Sequence, residues 1–215
     1  MNDLSMTQDS SKTTKIRRQP KQARSQERVS HILDAAEQLF IEVGYEQATT
    51  RAIALRAAVP VGSLYQFFPD KEALLRALAN RYFEQEYHLF VQLQAELTAV
   101  PIQEYVDRVI DAFDQFATDH PGYQVVLAHL VDLMTIADAS NPTEYDRRIL
   151  AEFAQFLAHR NPALPPAKCE LIATTTLNVA NELLWLALRR DRSFRSQLLA
   201  ETKTLITAYL QTHQV

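Results

Sequence analysis

From Arg24 onward, apolar residues in this chain recur at helical spacing. Val29, Ile32, Leu33, Ala36, Phe40 and Val43 fall at i, i+3, i+4, i+7, i+11 and i+14, which is one face of a helix. Gly44 follows where a left-handed C-terminal cap is wanted. Thr49 is the predicted N-cap of a short helix that turns Ile53, Ala54 and Ala57 inward and stops near Ala58, Val59 and Pro60. A second short helix is predicted over Val61 to Phe67. Asp70 caps a long one from Lys71 to about Leu97, with Leu74, Leu75, Leu78, Tyr82 and Phe90 apolar. Five more stretches follow: 102–118, 123–137, 143–159, 166–190 and 193–211. Pro, Asn or Asp stands at each junction. The tally is about nine helices. Residues 1–23 have no apolar period and read as a disordered arm.

Composition narrows this to an all-α fold. The chain has 3 glycines in 215 residues, where average usage gives about 15. Neither a glycine-rich phosphate loop nor a dinucleotide fingerprint can be built from so few. A many-stranded sandwich lacks its turn residues. The single Cys169 excludes an internal disulfide and a multi-cysteine zinc site. Six histidines (His31, His88, His120, His129, His159, His213) include no i, i+3 or i+4 pair. With no metal motif, nucleophile elbow or paired carboxylates, neither catalysis nor a cofactor is expected. The first twenty residues lack an apolar signal core. The longest unbroken apolar run, Leu183 to Leu188, is too short to span a bilayer. The expectation is a cytoplasmic protein with no membrane partner.

Charge is unevenly placed. Residues 1–81 carry 12 Lys+Arg against 9 Asp+Glu, a balance of +3, and the remaining 10 and 17 give −7. Lys12, Lys15, Arg17, Arg18, Lys21, Arg24 and Arg28 cluster around one acid, Glu27. A basic head on an acidic body suits a polyanion that meets only the head.

The segment Thr49–Lys71 reads TTRAIALRAAVPVGSLYQFFPDK. Two short helices joined by a tight turn, with Ala54 small at the crossing and Val59 and Leu64 apolar, form the skeleton of a helix-turn-helix. Such a pair offers its second helix to a DNA major groove. The stretch from Arg24 to Leu75 resembles the DNA-binding domain of the TetR (tetracycline-repressor) family. The resemblance is carried by Phe40, Gly44–Tyr45, Thr49–Thr50–Arg51 and Ile53–Ala54. It is strongest over Gly62–Ser63–Leu64–Tyr65–Gln66–Phe67–Phe68–Pro69–Asp70–Lys71–Glu72–Ala73–Leu74–Leu75.

The resemblance implies three parts: a basic arm (1–23), a helix-turn-helix domain (24–70), and an effector-binding and dimerisation domain (71–215). It also implies roles. Tyr65, Lys71 and Thr50 are similar to phosphate-contacting residues, and Arg51 stands where a base edge is reached in some members. Val61, Gly62, Ser63 and Gln66 occupy the groove-facing surface, with Gly62 small so that the backbone can approach DNA. Arg24 and Arg28 lie near phosphates. Two departures stand out. Ala58 occupies a turn position where glycine is usual, and Pro60 supplies no capping oxygen to the recognition helix.

In the larger domain, Leu177, Ala180, Leu184 and Leu188 form one stripe. Leu198, Thr202, Leu205 and Tyr209 form another. Both are candidate dimer faces, and the resemblance implies a four-helix bundle between two copies. Phe113, Phe116, Tyr123, His129, Asn178, Glu182 and Trp185 are candidates for an apolar pocket with a few polar groups. The expected protein is a homodimeric repressor, released from a palindromic double-stranded operator by a small hydrophobic or aromatic effector that shifts the long helix like a lever. Two other readings compete: a helical ligand-binding or interaction protein without DNA binding, and a helical enzyme. The basic arm generates its own test. Deleting residues 1–20 is expected to weaken duplex binding and flatten its dependence on salt. An unchanged salt slope in the truncated protein excludes the arm from the interface.

Overall fold

The computed structural model describes residues 23–133 and 143–215, so the arm, with Arg17, Arg18 and Lys21, lies outside the described residues. Among the described residues there are nine helices and no strand. They are α1 (Ala23–Gln47), α2 (Thr50–Arg56), α3 (Val61–Phe67), α4 (Lys71–Glu96), α5 (Ile102–Asp119), α6 (Pro121–Leu133), α7 (Glu144–Arg160), α8 (Pro166–Leu188) and α9 (Arg192–Thr212). Helix α6 begins at the Pro121–Gly122 pair rather than after it. Proline at a helix start forfeits no intrahelical bond, which is why it belongs to the first turn.

The chain divides into two compact units at Leu78/Ala79, inside α4 rather than before it. The first turns of α4 carry Ala73, Leu74, Leu75, Ala77 and Leu78, all buried. They complete a core otherwise made of Ile32, Leu33, Ala36, Phe40, Ile53, Leu64, Phe67 and Phe68.

Capping sets the helix boundaries here. The Thr49 hydroxyl accepts from the Ala52 amide at 3.1 Å, and the Asp70 carboxylate accepts from the Ala73 amide at 2.7 Å. Gly44 interrupts α1 at φ 80, ψ 158, a conformation that glycine reaches without a Cβ penalty. Between α2 and α3 the chain makes a Schellman turn. Val59 N–H donates to Ala54 C=O at 3.0 Å, and Ala58 N–H donates to Leu55 C=O at 3.1 Å. That turn needs a left-handed residue, and Ala58 supplies it at φ 52.

The second unit is organised around a core that includes Phe90, Tyr105, Ile110, Phe153, Leu157, Ile172 and Leu210. Helix α8 packs most extensively with α7 and α9. It is also long and apolar enough to cross a membrane by length and composition, yet few of its residues are fully buried within the chain. The short unbroken run Leu183 to Leu188 understates this apolarity, because threonines and alanines lengthen it without interrupting it.

The second unit also corrects the expected dimer stripe. Thr202 is 0% exposed and its hydroxyl donates to the Leu198 carbonyl at 2.7 Å, so it faces the chain's own core. Tyr209, Leu177, Ala180 and Leu184 pack partly against that same core, while Leu198 and Leu188 are half-buried. Leu205 alone of the two stripes is well exposed, at 52%.

The strained turn yields a prediction. Left-handed alanine is disfavoured by roughly 1–2 kcal/mol, and glycine gives part of that back as unfolded-chain entropy. Ala58→Gly is therefore expected to stabilise the protein by about 1 kcal/mol, read from the urea or thermal unfolding of the first unit.

Candidate nucleic-acid interface and a buried polar site

Helices α2 and α3 are held at their crossing by Ala54 and Leu64, both fully buried. On their outer surface the Thr50 and Tyr65 hydroxyls lie 2.8 Å apart in a hydrogen bond that either can donate. Tyr65 is 41% exposed. Arg51, Gly62 and Gln66 are exposed beside it, and Val61 and Ser63 are half-buried. Arg51 is without a hydrogen-bonding or ionic partner among the described residues, whereas the neighbouring Arg56 is paired with Glu42 of α1 at 2.5 Å. Of the two arginines on α2, Arg51 is thus the one free to meet a ligand. Arg24 and Arg28 are exposed on the first turns of α1.

Gly62 answers to nothing within the chain. It lies inside α3 with an ordinary helical backbone, and a Cβ built on it meets no atom within 4 Å. Glycine there weakens the helix by roughly 0.5–1 kcal/mol against alanine. The helix also starts at Pro60 without a side-chain cap. The first turn of α3 therefore presents bare backbone to whatever lies outside.

Lys71 has a second employment. Its Nζ donates to the carbonyls of Tyr45 at 2.6 Å and Glu46 at 3.2 Å, and sits 4.1 Å from the centre of the Tyr45 ring. A cation closing the end of α1 is favoured by the helix dipole. Two of its three donors are committed, so at most one is left for a phosphate.

In the second unit the expected pocket residues separate. Phe116 and Tyr123 meet at 5.5 Å between ring centres, and Tyr82 lies 5.5 Å from Tyr123, the rings nearly perpendicular. Phe113 stands 6.3 Å from Phe90 on the neighbouring core. His129 is half-buried on α6, its Nδ1 2.9 Å from the Val125 carbonyl. Asn178 and Glu182 are exposed. The Asn178 amide donates to its own helix at Thr174, 2.7 Å away. Both point away from the interior, because an i, i+4 polar pair fits a solvent face as readily as a pocket wall. Trp185 is half-buried, with the Arg189 guanidinium 5.2 Å over its ring.

Glu86, which no sequence motif marks, is the most deeply buried carboxylate among the described residues. It is 5% exposed, and the Tyr123 hydroxyl donates to its carboxylate at 2.7 Å. Tyr145 of α7 donates a second hydrogen bond. Burial pushes the Glu86 carboxyl up to about 7, against the pull of the two phenols. The signal was present in register. Glu86 falls four residues after Tyr82 and four before Phe90, on the apolar stripe of α4.

Comparison with known proteins agrees with this architecture. The family model described as "Bacterial regulatory proteins, tetR family" matches residues 32–78. The model described as "Tetracyclin repressor-like, C-terminal domain" matches 101–210. The HTH-type transcriptional repressor KstR of Rhodococcus jostii is 48% identical over 59 residues, 27% of this chain and 28% of the relative. KstR of Mycobacterium tuberculosis is 30% identical over 139 residues, 63% and 61% of the two chains. The chain thus spans less than two thirds of the length of these curated relatives. Among solved structures, a TetR-family regulator from Streptomyces coelicolor superposes with a TM-score of 0.60 at 26% identity, over 86% of this chain and 98% of the other. FadR from Bacillus subtilis, in complex with stearoyl-CoA, gives a TM-score of 0.60 at 18% identity, over 84% and 96%.

Two outcomes are expected. Gly62→Ala stabilises the free protein by about 0.5–1 kcal/mol yet weakens its binding to duplex DNA. A gain in both, by thermal unfolding and anisotropy titration, excludes close backbone approach at this residue. The carboxyl of Glu86 is raised from 4.5 to about 7 by folding, so the folded state holds the proton more tightly. Its contribution to stability is then fullest below pH 4.5 and is lost as pH rises through about 7. Glu86→Gln flattens that loss and makes the protein more stable than the native chain at pH 8, by up to about 3 kcal/mol, read from unfolding curves at pH 5 and pH 8.

Proposed function

The chain belongs to the TetR family of transcriptional regulators, which are not enzymes, and from that membership we propose a homodimeric repressor that holds a palindromic operator and lets go when a small effector binds. The observation that carries the DNA-binding half is the exposed surface of α2 and α3. There the Thr50–Tyr65 hydroxyl pair and the unpaired Arg51 flank the bare backbone of Gly62. Hydroxyls and amides of this kind position a protein on phosphates, and a free arginine reads a guanine edge. A cytoplasmic location follows from the proposed role.

Two copies are needed to meet two half-sites about 34 Å apart. Helix α8 supports pairing, because an apolar helix with few residues fully buried in its own chain calls for a partner surface. Leu171 on α8 and Phe194 and Leu205 on α9 are exposed at 56%, 44% and 52%. These three, rather than Thr202, are the proposed centre of the contact. Helix α4 supports release. It is a single helix whose start is fastened by Asp70 and Lys71 in the first unit and whose later turns carry Glu86 in the second. An effector that prefers one arrangement of α4 shifts the population of DNA-competent dimers by its differential affinity.

The test is an anisotropy titration of promoter fragments. Saturable binding of a dimer is expected at low salt, and Arg51→Ala is expected to lose about 1–3 kcal/mol for the preferred site over one with its contacted base pair changed. Failure to bind any fragment of its own promoter at low salt overturns the reading in favour of an interaction protein.

A further inference from the structure

A ligand-sized cleft of about 320 Å³ opens in the second unit, lined by Asn80, Phe83, Glu84, Thr143, Glu144 and Tyr145. The lining holds two carboxylates and two aromatic rings, and no basic side chain. Phe83 and Tyr145 stack at 4.9 Å with 21° between their planes, which makes a flat π surface along one wall. Tyr145 serves two masters. Its ring faces the cleft, and its hydroxyl reaches inward to the Glu86 carboxylate. Behind it, the Tyr123 hydroxyl also holds Glu86, and the Tyr123 ring packs nearly orthogonally with those of Tyr82 and Phe116.

We propose that this cleft receives a hydrophobic organic cation, an amine or quaternary ammonium, seated on the Phe83–Tyr145 rings with Glu86 as its buried counter-charge. The proposal rests on reading the second unit as the effector-binding part, and names the class of effector. An aromatic face attracts a cation through the ring quadrupole, and does so best where water is excluded. A buried carboxylate is costly unless it is paired with a positive charge. The partners of Glu86 are two neutral phenols, and its ionised form is correspondingly disfavoured, with the carboxyl raised to about 7. A cation supplies the missing charge and an anion worsens the deficit. The rim carboxylates do not fill that role. Glu84 is already paired with Arg148 at 2.5 Å and Glu144 with Arg147 at 2.9 Å. Tyr145 both lines the cleft and hydrogen-bonds Glu86, so a cation seated on its ring lies one side chain away from the carboxylate. That residue sits in the first turn of α7, just past the Thr143–Asp146 capping box.

The experiment is calorimetric titration of the full chain without DNA, using three probes of similar size. They are benzyltrimethylammonium, its uncharged carbon isostere neopentylbenzene, and the anion 4-tert-butylbenzoate. The cation is expected to bind roughly tenfold more tightly than the isostere, and the anion not to bind. Glu86→Gln is expected to erase the preference for the cation and leave the isostere unchanged, in a protein whose unfolding curve shows it folded. Glu84→Gln and Glu144→Gln are expected to leave the preference in place. Equal binding of cation and isostere overturns the proposal, as does preference for the anion or no heat with any probe. Loss that follows Glu84 and Glu144 instead of Glu86 also overturns it. A second arm adds benzyltrimethylammonium to the protein–operator complex. Cation binding that leaves operator affinity unchanged upholds the site and overturns its regulatory use, so the two readings fail separately.

Discussion

Helix α4 has to satisfy two cores with one continuous stripe, and that constraint orders much else in the molecule. Its first turns bury Leu74, Leu75 and Leu78 with the DNA-binding unit, and its later turns bury Tyr82, Phe90 and Leu93 with the second. The side chains of that stripe lie in close-packed interiors, which resist small elastic strain, while the rest of α4 is half-buried or exposed. Asp70 and Lys71 fix where the stripe begins, and Glu86 is the one carboxylate buried within it.

The front of the chain was legible because its signals are local. Thr49 and Asp70 cap the helices they were expected to cap, and Val61–Phe67 is the recognition helix to the residue. The departure at Ala58 was readable too, since a tight turn after α2 demands a left-handed residue whatever its identity. The buried polar site was less legible because its signals are not local. Glu86 on α4, Tyr123 on α6 and Tyr145 on α7 meet only through tertiary packing. Asn178 and Glu182 had the right spacing and the wrong direction, because helical periodicity places residues on a common face without saying what that face meets. Thr202 failed for a related reason: a hydroxyl that bonds back to its own helix can be buried as cheaply as an alkyl group.

Lys71 shows how a sequence motif can carry two meanings at once. Its position at the start of α4 suits a phosphate. In the folded chain the ammonium closes the end of α1 where Gly44 has broken the helix, satisfying carbonyls that would otherwise lack donors. The same cation therefore closes the end of α1 in the DNA-binding unit, and removing it would leave those carbonyls open.

The Thr50–Tyr65 pair has a consequence in proton counting. Two hydroxyls hold two protons between them, and the bridge at 2.8 Å engages one. The other is left to point outward, from either residue, by rotation of the pair. Together they offer a single outward donor, and it passes from one residue to the other by rotation of the hydroxyls alone. Loss of one hydroxyl frees the other rather than halving the contact. The two residues should thus behave as one functional group, with their separate removals and their joint removal far from additive.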